Sequence, residues 1–290
     1  MAGVRSTSDD GYPPITIHGG RFKGGVVRVQ GAISSQYVSS LLLAGPYANN
    51  TLTVGVKGEL ASLPYVDMTL HVMRTFGASV EVLDPRVFQV SHTDKYIGQT
   101  FTIEADASSA TYFLAAAAIT GRRVRVLNLT AESLQGDARF INTLAEMGCR
   151  VSRDDNFIEV HGGALLGIEI DMNEMPDCVP TLAVIAAFAQ GPTTLHNIAH
   201  LRHKETDRLS ALAKELSRIG AGVELFDESM TIRPRTLHGA IIETYNDHRI
   251  AMSFAVAGLV VPGIVISNPA CVSKSFPNFW EEFQKLELQE

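Results

Sequence analysis

Three glycines, Gly77, Gly148 and Gly220, recur about 72 residues apart, each directly after an apolar residue that closes a helical pattern. Phe76-Gly77-Ala78-Ser79-Val80 leads to Phe88-Gln89-Val90, Met147-Gly148-Cys149-Arg150-Val151 to Phe157-Ile158-Glu159-Val160, and Ile219-Gly220-Ala221-Gly222-Val223 to Met230-Thr231-Ile232. Glycine takes the left-handed conformation past a helix end without steric cost, so each site predicts a helix stop followed by two strands. Reading outward gives a repeating unit, strand-helix-strand-helix-strand-strand. The first copy runs from Val26–Val29 through a helix from Ser34, a strand Thr51–Val56 and a helix from about Pro64. The second starts at Thr100 with its first helix near Ala107; the third starts near Gly167 with its first helix near Asp177. A fourth starts near Ala240 and holds only strand-helix-strand-helix before Glu290, while Gly3-Val4 and Ile15-Thr16-Ile17 look like the closing strands of a unit whose earlier part is absent. Stacked units of this size need neighbours. The expectation is an α/β fragment, or a naturally shortened relative, of a longer repeat-built enzyme.

Composition narrows the partners. With 46% hydrophobic and 19% charged residues the chain reads as an ordinary soluble globular protein, and a net charge of −7 with no long Lys/Arg block argues against nucleic acid. The segment from Met1 to Tyr12 lacks the apolar core of a signal peptide. The longest apolar run, Ala251 to Ile266, is broken by Ser253, Gly258 and Pro262-Gly263, and reads as a buried helix and a strand instead of a membrane span. Cys149, Cys178 and Cys271 are far apart and fit a reducing, cytoplasmic compartment. No cofactor is expected. His196, His200 and His203 have no supporting second ligand cluster, so no metal is expected. Gly19–Gly25 lacks the Gly-Lys-Ser/Thr ending of a phosphate loop and reads as a turn.

A negative chain that binds anions must gather its cations locally. Lys204-Glu205-Thr206-Asp207-Arg208 and, about 40 residues on, Tyr245-Asn246-Asp247-His248-Arg249 each pack acids and bases immediately before an apolar helical pattern. A helix N-terminus offers free N–H groups and the positive end of a dipole. Adding Lys204, Arg208 and Arg249 suits phosphates or carboxylates, with acids and His248 at hand for proton transfer. Capping by surface charges is the plainer alternative. Other predicted helix starts are equally polar: Ser34-Ser35-Gln36, Ser62-Leu63-Pro64-Tyr65, Asp106-Ala107-Ser108-Ser109, Gln135-Gly136-Asp137, Pro176-Asp177 and Ser273-Lys274-Ser275. Asp106 and Asp137 read as caps. The hydroxyl pair and amide of Ser34-Ser35-Gln36 exceed what a cap needs.

These motifs, with Cys271-Val272-Ser273-Lys274-Ser275-Phe276-Pro277, resemble in order and spacing the EPSP synthase (3-phosphoshikimate 1-carboxyvinyltransferase) family, over nearly all of this chain and about two thirds of a family member. The resemblance implies two domains of the inside-out α/β barrel type hinged about a cleft: 1–104 as a partial N-terminal domain, 105–290 as a C-terminal domain lacking its N-terminal strands. It implies transfer of the enolpyruvyl group of phosphoenolpyruvate to the 5-hydroxyl of shikimate 3-phosphate with release of phosphate, a step of aromatic amino-acid biosynthesis that glyphosate blocks. By resemblance, Asp177 binds the shikimate hydroxyl and acts as base. Glu205 and Lys204 handle protons at the enolpyruvyl carbon and in the tetrahedral intermediate. Arg208, Arg249 and Lys274 grip phosphoenolpyruvate. Ser34, Ser35, Ser62 and Tyr65 hold shikimate 3-phosphate, with Asp177 and Lys204 also touching it, and Gln36 reaches both substrates. His248 is either a neighbour of the site or a structural hydrogen-bonding group. His200 stands where the family commonly has an Asn that touches shikimate. The family's N-terminal stretch, which supplies further cations, has no counterpart here. Three alternatives stay open at this point: a UDP-N-acetylglucosamine enolpyruvyl transferase relative, a non-catalytic shikimate 3-phosphate-binding fragment, and a chain complemented by a separate N-terminal fragment.

Overall fold

The computed structural model describes residues 4–31, 34–60, 62–130 and 132–286, and backbone contacts divide the chain into one unit up to Thr102 and a second from Ile103. In the first unit, a short antiparallel pair, β1 (Ser6–Thr7) and β2 (Thr16–Ile17), precedes β3 (Gly25–Gln30), α1 (Gln36–Ala44), β4 (Leu52–Lys57), α2 (Leu63–Thr75), β5 (Val80–Asp84) and β6 (Val87–Val90). Residue Gly3 of the expected first strand lies outside the described residues, and Val4 is not in a strand; pairing starts at Ser6. The four longer strands form one sheet in the order β3-β4-β6-β5, with β3 and β4 parallel and the remaining pairs antiparallel. A parallel pair requires a crossover, which α1 supplies. Strand β4 alternates, burying Leu52, Val54 and Val56; α2 buries Val66, Leu70 and Met73 at helical spacing against them. Because β3 and β4 run parallel, α1 and α2 both begin at the same edge of their sheet.

In the second unit, α3 (Ala107–Thr120), β7 (Arg123–Leu127), α4 (Phe140–Glu146), β8 (Arg150–Asp154) and β9 (Phe157–His161) come first. Then follow β10 (Glu169–Asp171), α5 (Val179–Ala186), β11 (Thr193–His196), α6 (Arg208–Arg218), β12 (Gly222–Leu225) and β13 (Met230–Arg233). The chain continues through β14 (Ile241–Ile242), α7 (His248–Gly258), β15 (Val265–Ile266) and α8 (Phe279–Gln284). The sheet β10-β11-β13-β12 repeats the order and directions of β3-β4-β6-β5, and β14 and β15 pair in parallel as a partial copy. The repeat inferred from the glycines is therefore a structural one, and the fold is mixed α/β. Among the described residues no sheet closes into a barrel.

The strand expected at Thr100 does not form. That stretch carries the chain from one unit to the next, with Phe101 and Ile103 exposed. Among the described residues its ties toward β7 lie past the strand end, where Ala105 N donates to the Asn128 carbonyl at 2.7 Å and the side-chain Asn128 Nδ2 to the Ile103 carbonyl at 3.1 Å. The sheet β7-β9-β8 consequently has three strands.

Helices α3, α5 and α7 are apolar nearly all round and pack on one another in the core, with sheets outside. A chain of buried hydroxyls joins them: Thr111 Oγ1 to Thr181 Oγ1 at 3.4 Å, and Thr181 Oγ1 to Ser253 Oγ at 3.3 Å. By contrast α6 is amphipathic, burying Leu209, Leu212 and Leu216 and leaving Lys214 and Ser217 outward. Among the described residues no helix is long and apolar enough to cross a membrane.

The three helix stops share one geometry. Ala78 N donates to Met73 O, Cys149 N to Leu144 O and Ala221 N to Leu216 O, while Gly77, Gly148 and Gly220 have φ of +88°, +102° and +100°. At Gly148 an added Cβ would lie 2.6 Å from the Ala164 carbonyl oxygen. Gly148→Ala is therefore expected to destabilise the chain by about 2 kcal/mol or more, from left-handed strain plus that clash. Gly258→Ala, where a Cβ meets only ordinary contacts from 3.6 Å outward, should be neutral or stabilising. Urea unfolding of the two variants measures the contrast.

Candidate active site

The N-terminal ends of α5, α6 and α7 bring the two charged pentapeptides together around one side chain. Arg208 is the first residue of α6, and Asp207 caps that helix by accepting from Ser210 N at 3.1 Å. With the cap provided by its neighbour, Arg208 turns inward and is only 1% exposed. Three carboxylates meet its guanidinium. Nε donates to Asp247 Oδ2 at 2.7 Å, Nη1 to Asp177 Oδ1 at 3.0 Å, and Nη2 to Glu205 Oε2 at 2.5 Å. Asp247 is fully buried and caps α7, its Oδ1 accepting from Arg249 N at 2.8 Å.

Asp177 lies in a 3-10 turn, Pro176–Cys178, that runs into α5. Its second oxygen accepts from Arg249 Nη2 at 2.8 Å, and Lys204 Nζ stands 4.0 Å from the first. Burial alone would raise this carboxyl; Arg249, Arg208 and Lys204 outweigh burial and hold it at about 2. For Glu205, burial again opposes ionisation, and the hydrogen bond from Lys274 with the charge of Arg208 brings it to about 2. Arg249 is mostly buried and also donates from Nη1 to the Tyr112 hydroxyl at 3.3 Å; burial pushes that phenol up to about 12, against the pull of Arg249. Every cation expected to grip an anion thus already holds a protein carboxylate.

Lys204, Glu205, Arg208, Asp177, Arg249 and Lys274 therefore form one connected cluster. Lys274 reaches it from the end of a 3-10 turn, Pro269–Lys274, and not from a helix start, because the turn closes at that residue. His200 adjoins the cluster: burial and then Lys204 push its imidazole down to about 4, Asp177 pulling the other way, and its buried Nε2 has no hydrogen-bond partner among the described residues. His248 Nδ1 is likewise buried without a hydrogen bond, its nearest carboxylate oxygen on Asp247 being 3.9 Å away. A structural hydrogen bond from that nitrogen is not present among the described residues. A groove of about 1460 Å³ along β7, α3 and α8 is lined by none of the cluster residues.

Two acids read as caps differ in kind. Asp106 is a cap, accepting from Ser108 N at 3.1 Å and Ser109 N at 3.3 Å. Asp137 is not. It is buried, accepts from the Ser108 hydroxyl and the Cys178 thiol, and burial raises its carboxyl despite those donors. Sequence reasoning also passed over Asp247 and Tyr112 as site residues. The first was visible as the cap before Arg249; the second had no signal beyond being the one phenol in an alanine-rich helix.

In the first unit, Ser34 Oγ accepts from Gln36 N at 3.2 Å at the start of α1, and Ser35 is buried. Ser62 is buried in a left-handed conformation, φ +59°, directly before α2, and Tyr65 lies in that helix's first turn. Ser39 Oγ and Thr69 Oγ1, 2.8 Å apart, tie the two helices.

A family model described as EPSP synthase (3-phosphoshikimate 1-carboxyvinyltransferase) matches residues 2–283. The chain belongs to the EPSP synthase family. The 3-phosphoshikimate 1-carboxyvinyltransferase of Trichormus variabilis is 46% identical over 284 residues, covering 98% of this chain and 67% of that protein. Its counterpart in Methanoculleus marisnigri is 47% identical over 279 residues, 96% of this chain and 66% of that protein. The EPSP synthase of Acinetobacter baumannii superposes with a TM-score of 0.81 at 28% identity, over 98% of this chain and 68% of the other. The chain spans about two thirds of the length of these EPSP synthases. The names favour a shikimate acceptor over UDP-N-acetylglucosamine.

Two measurements follow from the cluster. Removing its centre with Arg208→Met leaves Asp247 buried without its partner and should cost about 3–5 kcal/mol in chemical denaturation. Asp177 and Glu205 lie near 2 in the folded chain, below their ordinary 3.8 and 4.5. Ionisation of both therefore favours the fold, in full above pH 4.5 and progressively less as pH falls toward 2. Calorimetric melting temperatures should drop steeply across that window, and less steeply in Asp177→Asn.

Proposed function

We propose that this chain transfers the enolpyruvyl group of phosphoenolpyruvate to the 5-hydroxyl of shikimate 3-phosphate in the cytoplasm, releasing phosphate. The observation that carries the reading is the pair of ionised carboxylates, Asp177 and Glu205, clasped by Arg208, Arg249, Lys204 and Lys274. The reaction needs a proton removed from the acceptor hydroxyl, one delivered to the vinyl carbon, and a departing phosphate stabilised. Asp177 is ionised at neutral pH and takes the first role. Glu205, ionised in the free chain and with Lys204 beside it in sequence, takes the second role after substrate binding raises its carboxyl and it takes up a proton from solvent, which it then passes to the vinyl carbon. The arginines and Lys274 meet the phosphate and carboxylate of phosphoenolpyruvate. Guanidinium forks suit both groups bidentately.

The substrate enters by exchange. An incoming dianion takes over cations that Asp177 and Glu205 hold in the free chain, so their carboxyl pKa values rise on binding and each becomes a better proton acceptor. Residues Ser34, Ser35, Gln36, Ser62 and Tyr65 hold shikimate 3-phosphate; their placement at the N-terminal starts of two parallel helices supports an anion there. His200, neutral and with a ring nitrogen that has no hydrogen-bond partner among the described residues, replaces an amide as hydrogen-bonding partner of the shikimate ring. In this reading residues 1–104 belong to one domain and 105–290 to a second, close to the division at Thr102 and Ile103 in the backbone contacts.

Phosphate release from phosphoenolpyruvate and shikimate 3-phosphate tests the proposal. Turnover should appear only with both substrates and fall by about 100-fold or more in Asp177→Asn, the span typical of a lost general base. Equal release by the parent chain and the variant would contradict it.

A further inference from the structure

The corner that delivers Asp247 and Arg249 is bent in a way its residues do not favour. Tyr245 and Asn246 both have positive φ, +53° and +56°, in succession, and neither is glycine. Left-handed backbone at a bulky residue persists only where the surroundings over-determine it. What surrounds this corner is Glu215, a fully buried carboxylate in the middle of α6. Its Oε1 accepts from the Tyr245 hydroxyl at 2.7 Å, and its Oε2 from the Glu243 amide at 3.1 Å. Arg218, one turn further along α6, supplies the counter-charge at 2.9 Å and also donates to the Ile241 carbonyl in β14 at 2.9 Å. Lys214 stands over the Tyr245 ring, 5.8 Å from its centre. The turn then closes with Asp247 N donating to the Thr244 carbonyl at 2.8 Å.

We propose that Glu215 is a positioning residue for the anion site: through the Tyr245 hydroxyl and the Glu243 amide it pins the left-handed corner, and so aims Asp247 and Arg249 from α7 at Arg208 and Asp177. A buried acid with three partners, Tyr245 and Glu243 at the corner and Arg218 on its own helix, is more than helix stability requires, since a Leu at that position would bury equally well on the apolar side of α6. The corner has no glycine to accommodate it, so the bonds to Glu215 replace conformational freedom with tethering. Loosening the tether lets the corner relax toward ordinary backbone and swings the first turn of α7, where Asp247 accepts from Arg249 N, away from its aim. The inference rests on the reading of Arg249 and Arg208 as the anion grip, and its test is chosen to stand apart from that reading.

Amide hydrogen exchange is measured on the chain, on Tyr245→Phe and on Glu215→Gln, together with calorimetric titration by phosphoenolpyruvate. Tyr245→Phe removes one hydroxyl and keeps the packing, so it folds even where Glu215→Gln does not. The expected result is exchange at residues 245–249 accelerated about tenfold while the amides of Leu212 to Leu216 keep their protection, with affinity for phosphoenolpyruvate weakened by a similar factor. Unchanged exchange at 245–249 in Tyr245→Phe would overturn the proposal. So would accelerated exchange with undiminished affinity, because the corner would then be structural only. A parent chain that binds no phosphoenolpyruvate would count against the function proposed above, and the exchange at 245–249 would still decide whether Glu215 pins the corner.

Discussion

A single buried guanidinium organises the second unit's chemistry. Arg208 has almost no contact with water, and three carboxylates from three helix starts share its donors. A charge in that position is stable only while paired, so the starts of α5, α6 and α7 are constrained to meet. Asp247 can be fully buried because it satisfies both Arg208 and the first turn of α7. Asp177 can remain ionised in a mostly buried position because two arginines and a lysine surround it. The cations of the proposed anion site are thus held in the free chain by its own carboxylates.

The repeat explains how such a meeting arises. Each unit delivers a helix start at a comparable place, and the apolar bodies of α3, α5 and α7 pack with one another as a hydroxyl ladder, Thr111, Thr181 and Ser253, crosses between them. The polar starts are then gathered by the same packing that buries the alanines and leucines behind them. Strain collects at the corner before α7, where two successive left-handed residues replace the glycine that a freer turn would use.

Much of this was legible in the residues. Glycines at Gly77, Gly148 and Gly220 mark helix stops because backbone sterics act locally, and Asp106 announces its capping role for the same reason. The pentapeptides announced a charged site because acids and bases rarely crowd before an apolar helix without a task. What the sequence did not reveal depends on distance through space. Asp137 has the pattern of a cap, yet its side chain turns into the core to meet Ser108 and Cys178. Tyr112 lies far along the chain from Arg249, and no spacing links them. The strand expected at Thr100 has the composition of a strand, but residues there are spent on passing between units and find no ladder. Lys274 sits in a motif that reads as a helix start and is in fact the end of a turn.

In the proposed function Asp177 and Glu205 act as internal stand-ins for the substrate anions. Carbon-13 NMR of the side-chain carboxyls, titrated with and without phosphoenolpyruvate, tests this most directly. Both groups should titrate at about 2 in the free chain and shift upward when the ligand takes over their cations. Carboxyls that titrate identically in the two states would show that the ligand displaces neither, and would contradict the claim.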